Sequence, residues 1–277
     1  GLDVMLATKA HRPAIEAMLG ISPELAMFPL GNLVRYGMDG GHPHAMSFWL
    51  DGATSPTAIL GLTDGGMVLP VWSGAFDPAR AAEHLCGQTL TGFAGAASPV
   101  RDLIAAVGLS GAPAVLSEDE PQFLAHLNTL SVPDRPGTLS PLTVDVATAV
   151  AWRQAYDAEL HLGASSVEDA EAQVQRWIAE DTHRFLMIDG IPAAMTGFNA
   201  VLPDIVQVGG VYTPPSARNR GLARHAVALH LAEARDAGVT RATLFAATNA
   251  AVACYRPLGF ERIGDFALVL FDGKVVP

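Results

Sequence analysis

The stretch Arg218-Asn219-Arg220-Gly221-Leu222-Ala223-Arg224 concentrates residue types that suit an oxyanion. Small side chains at Gly221 and Ala223 let backbone N–H groups crowd a bound anion with little in the way. An apolar run from Ile205 to Tyr212 leads into the stretch and a helical pattern begins near Leu222, so the spacing predicts strand, turn and helix N-terminus. The unpaired donors and the positive dipole end of that helix would face the same spot. Such an arrangement is a phosphate cradle, and Arg218, Arg220 and Arg224 place positive charge beside it. It is not the G-x-x-x-x-G-K-[ST] loop of ATPases, because no Lys-Ser or Lys-Thr follows. Within the preceding strand, Gly209-Gly210 predicts a bulge or a close backbone approach.

Taken with Leu244-Phe245, Asn249 to Tyr255, and Leu258-Gly259-Phe260 downstream, the stretch resembles the pyrophosphate-binding motif, Q/R-x-x-G-x-G/A, of the GNAT superfamily of N-acetyltransferases. The resemblance covers roughly residues 142–271. It implies acetyl-CoA as acyl-donor cosubstrate, with the backbone of Asn219, Arg220, Gly221, Leu222, Ala223 and Arg224 on the pyrophosphate and Arg218 nearby. It also implies that Val211, Tyr212 and Thr213 pair their backbone with the pantetheine arm. Tyr255 falls where the family carries the general acid that protonates the departing thiolate. A phenol of pKa about 10 facing a thiol of about 8.5 is a competent donor held protonated at neutral pH. Members often place an Asn seven residues before this Tyr; that position is Thr248 here, with Asn249 one step later, and either side chain could bond the cofactor arm. The acceptor implied is a primary amine of a small molecule or peptide. More loosely, Phe28-Pro29-Leu30-Gly31-Asn32-Leu33 looks like the opening helix of a bacterial subgroup with a doubled fold.

The general base is not legible. Where many members carry a Glu, this strand reads Asp204-Ile205-Val206-Gln207-Val208, and an amide cannot take a proton. Glu159, His161 and Glu168 are candidates from the bordering helices, although each reads more readily as a solvated charge or cap. That gap keeps a rival alive: a non-catalytic acyl-CoA-binding or regulatory protein with the same cradle. No metal is expected. His42-Pro43-His44 lacks a further ligand at metal spacing, and His225 and His230 stand five apart on a helix. Cys254 reads as core rather than nucleophile.

Those residues need a fold of sufficient size to hold them. The chain has 277 residues, half of them hydrophobic and 16% charged, so a sizeable core is assured. A net charge of −11 argues against a nucleic-acid partner and mildly favours a cationic or amine-bearing one. Two cysteines are too few for a disulfide framework. No apolar run reaches membrane-span length, and Gly1-Leu2-Asp3-Val4 lacks the basic start of a signal peptide, so a cytoplasmic protein off the membrane is expected. Oligomeric state is not readable.

One order of elements occurs twice: two helices, three hairpin-linked strands, a helix, a strand, a helix, a strand. Phe48-Trp49-Leu50-Asp51-Gly52 sits where Leu186-Met187-Ile188-Asp189-Gly190 sits in the second round. The expected fold class is α/β, with two tandem GNAT-like domains, each a mixed, mostly antiparallel sheet flanked by helices. The three prolines and glycine of 132–141 predict a linker between a degenerate domain 1–131 and a catalytic domain 142–277. The first copy offers Asp77-Pro78 where the second offers Arg220-Gly221, so it should bind no cofactor. A helix opened by a capping box Ser165-x-x-Glu168 and a strand running unbroken from Ile205 to Tyr212 complete the expectations.

Overall fold

The computed structural model describes residues 3–160 and 165–277, so His161 lies outside the described residues. The chain forms two compact units, residues 1–121 with 264–277, and residues 122–263.

The first unit opens with a short strand β1 (Met5–Leu6), then helices α1 (Arg12–Leu19) and α2 (Met27–Tyr36). Strands β2 (Met46–Leu50), β3 (Ala58–Thr63) and β4 (Met67–Trp72) form an antiparallel meander, with β1 on the far edge of β2. The short helix α3 (Ala79–Ala82) leads to β5 (Leu90–Ala96), which runs parallel to β4 only through Met67↔Gly92 and Val68↔Phe93. Helix α4 (Ala97–Ala106) follows. Its core joins Leu60, Val68, Phe93, Val100 and Leu103, which are fully or almost fully buried.

A long strand β6 (Ala114–His126) comes next. The division between the units falls inside it. In the second unit β7 (Thr138–Pro141), β8 (His183–Ile188), β9 (Ile191–Val201) and β10 (Ile205–Val208) form an antiparallel run. Helices α5 (Val146–Glu159) and α6 (Val167–Glu180) precede β8, packing Val150, Val174 and Trp177 against Phe185 and Met195. Helix α7 (Leu222–Asp236) buries Val227, Ala228 and Leu231 against Val206, Val208 and Leu244. Strand β11 (Arg241–Phe245) runs parallel to β10 and antiparallel to residues 122–126 of β6. After α8 (Asn249–Tyr255) the chain ends in β12 (Glu261–Val275), whose Phe266 to Leu270 pair with β5 of the first unit. Each copy has a meander, then a parallel pair, then an antiparallel strand. This is the tandem α/β architecture that the repeated element order predicts.

Three local expectations give way. The division is not at 132–141: Thr138–Pro141 of the expected linker is strand β7, and residues 264–277 join the first unit rather than the last domain. The reason is pairing. The strand that completes the first copy is drawn from the end of the chain, and residues 122–126, assigned to the first domain, complete the second copy against β11. The expected strand 205–212 stops at Val208, because the register slips between Gln207 and Val208 and Gly210 takes φ 70°. Helix α6 is capped by Ser166, whose Oγ accepts the Asp169 N–H at 3.1 Å, one residue along from the expected Ser165–Glu168 box. Strand β6 itself runs on through a charged middle, Glu118-Asp119-Glu120.

Among the described residues, no helix is long and apolar enough to cross a membrane, and no group of three potential ligands could hold a metal ion.

Candidate functional site

The site grows from the point where β10 and β11 part. They are in parallel register at Ile205↔Arg241, Val206↔Ala242 and Gln207↔Thr243, and β10 ends one residue later. The chain turns away at Gly209-Gly210 for two steric reasons. A Cβ at Gly209 would run into the Asn199 side chain, and one at Gly210 would lie 2.9 Å from the His183 Nε2. The strand resumes as a single bridge to β9: Tyr212 N–H donates to Met195 O at 3.0 Å, and Met195 N–H to Tyr212 O at 2.8 Å. Backbone groups alternate along a strand. With both polar groups of Tyr212 turned to β9, those of Val211 and Thr213 turn away from β9, the Thr213 carbonyl toward Arg218 Nε.

The cradle itself is an Asn-Arg-Gly turn closed by α7. Asn219 adopts φ 63° and Gly221 φ 72°, ψ 17°, the left-handed region that glycine enters without penalty. Gly221 is the N-cap and offers no side-chain oxygen, and the first intrahelical bond is His225 N–H to Gly221 O at 3.0 Å. The N–H groups of Leu222, Ala223 and Arg224 therefore have no partner within the helix. The first turn carries no acidic residue. Leu222 is buried against Leu186, Ala194 and Ala226, so what it presents to the loop is its backbone alone.

The arginines are divided in their duties. Arg218 donates Nε to Thr213 O at 2.9 Å and Nη2 to Glu159 Oε1 at 2.6 Å, with its guanidinium 5.8 Å from the Tyr212 ring centre. It ties strand, loop and α5 together, and the same contact engages Glu159. Arg224 donates Nε to the Cys254 carbonyl at 2.8 Å, fastening α7 to the end of α8. Arg220 is exposed at the turn.

Tyr255 closes α8 and packs, with Val211, against the core beneath β10 and β11. Its ring meets Phe260 edge-on at 6.3 Å. Burial pushes the phenol well above its usual pKa, helped by Cys254 and Tyr156, so it is a protonated hydroxyl at any physiological pH. Burial also raises the Cys254 thiol, against the opposing pull of Arg224, which suits a core residue and not a thiolate nucleophile. Of the two residues at the start of α8, Thr248 is the cap: its Oγ1 accepts the Ala251 N–H at 3.1 Å. Asn249 stands exposed at the first helical position.

The base candidates are dispersed. Asp204 sits at the other end of β10, paired with Arg241 at 3.1 Å. Glu168 is an exposed first-turn residue of α6. Gln207, on the strand beside the opening, is 1% exposed, and neither end of its amide has a hydrogen-bond partner among the described residues. Sequence reasoning missed two participants. His183 stacks on Trp177 at 3.8 Å and takes a 2.7 Å contact from Thr182 Oγ1 at Nδ1. Its ring fills the space that a Cβ at Gly197 would need, and Gly197 with Gly209-Gly210 is the glycine pattern that could have disclosed it. Arg135, set aside in the linker, donates Nη1 to the Arg220 carbonyl at 2.6 Å; nothing in its sequence surroundings signals this.

Residues 150–260 match the model of the acetyltransferase (GNAT) family. No curated protein matches the chain. Among solved structures, a GCN5-related N-acetyltransferase from Sphaerobacter thermophilus is similar over 99% of this chain and 96% of its own, with TM-score 0.60 and 12% identity. A tandem GNAT protein from the clavulanic acid biosynthesis pathway aligns over 97% of each chain, with TM-score 0.58 and 14% identity. A GNAT-family acetyltransferase from Colwellia psychrerythraea aligns over 98% of this chain and all of its own, with TM-score 0.55 and 11% identity. At such identities the likeness is one of fold.

Proposed function

Since residues 150–260 belong to the GNAT acetyltransferase family, whose chemistry is acyl transfer, we propose that this protein moves an acetyl group from acetyl-CoA to a primary amine of a small molecule or peptide. The observation that carries the reading is the Gly221-capped N-terminus of α7, free of acidic residues in its first turn, set beside the parting strands β10 and β11. Acetyl-CoA supplies the acyl group as a thioester, so transfer forms a C–N bond and breaks a C–S bond. The N–H groups of Leu222, Ala223 and Arg224 and the turn Asn219-Arg220-Gly221 hold the pyrophosphate. Val211 and Thr213 offer backbone groups to the pantetheine arm, and Asn249 reaches toward it from the exposed start of α8. With its hydroxyl serving as a helix cap, Thr248 is the lesser of the two. Tyr255 keeps the proton that the departing sulfur takes up. Among the described residues no carboxylate is placed on the strand beside the opening to receive the amine's proton, which leaves through water or before binding, with Gln207 contributing only hydrogen bonds.

That missing base favours one other reading, a protein that binds acyl-CoA without turnover. Calorimetry with CoA and thiol release from acetyl-CoA against a panel of amines separate the two. Submicromolar to micromolar binding, weakened at least tenfold (about 1.4 kcal/mol) in Gly221→Asp, with amine-dependent thiol release, is the expected result. Binding without release for any amine would establish the regulatory reading, and wild-type affinity in Gly221→Asp would remove the cradle.

A further inference from the structure

The segment ahead of β7 was expected to be a passive connection. We infer that it is part of the ligand site: Arg135 is a phosphate-contacting residue, delivered over the N-terminus of α7 by the strap 132–137. This rests on the cofactor reading above.

Its position is defined by one hydrogen bond and by a close approach of the same nitrogen to Gly221. Arg135 Nη1 bonds the Arg220 carbonyl at 2.6 Å, and a Cβ on Gly221 would stand 2.9 Å from the same nitrogen. The guanidinium therefore lies directly over the left-handed residue that caps α7. Two residues on, Gly137 takes φ 144° and comes so close to α7 that a Cβ there would lie 3.1 Å from His225 Nε2. Thr138 then enters β7 in register with Met187. The strap is held at Arg135 itself and just beyond it, and a side chain at 137 would have to displace Leu186 or His225, and do so from a backbone conformation that L residues rarely adopt.

Electrostatics says what the strap is for. A cation at a helix N-terminus opposes the dipole and is unfavourable by itself. Here Arg135 joins Arg218, Arg220 and Arg224 at one such end, and the first turn supplies no carboxylate. Arg218 spends its charge on Glu159, and Arg224 directs Nε to a carbonyl. His225, in the first turn of the helix and 1% exposed, adds no charge: burial, then the Arg135 guanidinium, lower its pKa below 6.5. Such a concentration of like charge is balanced by an oxyanion, and a guanidinium with five donors, one of them used on Arg220, has several left for phosphate oxygens.

The test compares wild type, Arg135→Gln and Arg135→Lys in calorimetric titrations with CoA, inorganic pyrophosphate and pantetheine, which has no phosphate. The expected result for Arg135→Gln is a loss of roughly tenfold in affinity for CoA and pyrophosphate, with pantetheine affinity unchanged, and Arg135→Lys between the two. Equal losses for CoA and pantetheine would show a brace for the loop and overturn the inference, as would unchanged CoA affinity in Arg135→Gln. Wild type that binds pyrophosphate but not CoA, with the pyrophosphate lost in Arg135→Gln, would uphold the anion contact while removing the cofactor reading.

Discussion

At the scale of single residues, the proposed chemistry turns on a hydroxyl and a guanidinium. Tyr255 ends α8 with its phenol raised well above the ordinary value by burial, so it holds a proton wherever the enzyme would work. Tyr255→Phe removes one oxygen and leaves the edge-on contact with Phe260. For a general acid, kcat should fall on the order of 10²-fold or more, with CoA affinity retained in calorimetry; a variant turning over at the wild-type rate would make Tyr255 a packing residue. Its place was legible because it precedes Gly259-Phe260 by a fixed interval. The role of Arg135 was not, because a guanidinium 85 residues from its carbonyl partner leaves no local pattern.

At the scale of elements, the second unit rests on two buried imidazoles on β8 and α7. His230 stacks on Phe198 with ring centres 3.7 Å apart, and burial, then the Arg184 charge, bring its pKa down to about 3. His183 is held well below 6.5 by burial first and then by His230 and neighbouring arginines. Both are neutral in the fold, whereas the unfolded chain takes up protons near pH 6.5. For His230 the unfolded state binds more protons between these values, so stability is full above about 6.5 and is lost as pH falls toward 3, by up to about 1.4 kcal/mol per pH unit, and His183 acts in the same direction. Thermal midpoints recorded from pH 7 to 4 should decline, and His230→Gln should decline less steeply. Parallel curves would mean that His230 does not set the slope. The glycines at 209 and 210 announced a close approach, but which ring makes it is decided by the pairing of His183 with Gly197.

At the scale of the whole chain, the doubled fold is proposed to carry one cradle, in the second unit. In the first unit the Ala79 N–H is bonded to Asp77 Oδ1 at 3.0 Å, and Pro78 has no N–H to give. Where β4 and β5 diverge, the space is lined by Met27, Phe28 and Phe266 among other apolar groups. A carboxylate thus stands where the second unit has Arg220, and apolar side chains line the gap between β4 and β5. We expect CoA to titrate at one site per chain, and a stoichiometry of two would show the first unit misread. The division of the chain sets a further expectation. A fragment of residues 138–277 lacks 122–126, the strand beside β11, together with Phe123, Ala125 and Leu127 from the core. It also carries Phe266 to Leu270 without β5. It should aggregate or fail to show a cooperative thermal transition; a monodisperse fragment that binds CoA as well as the full chain would contradict this.

The sequence by itself determined the class of the fold, the repeated order of elements, the turn and helix start around Gly221 and the place of Tyr255 at the end of a helix, because each is written in residues close enough to share a strand, a turn or a helix. Periodicity, glycines at turns and the interval from Arg218 to Ala223 are all local, and local geometry follows from them. Only the tertiary structure decided which strand completes which copy. β12 and the end of β6 are apolar strands that could serve either sheet, and their assignment depends on pairing across more than a hundred residues. The same holds for the strap. Val132-Pro133-Asp134-Arg135-Pro136-Gly137 reads as a connector until β7 pairs with β8 and Gly137 seats on α7, and a contact made by that docking has no trace in the spacing of its residues.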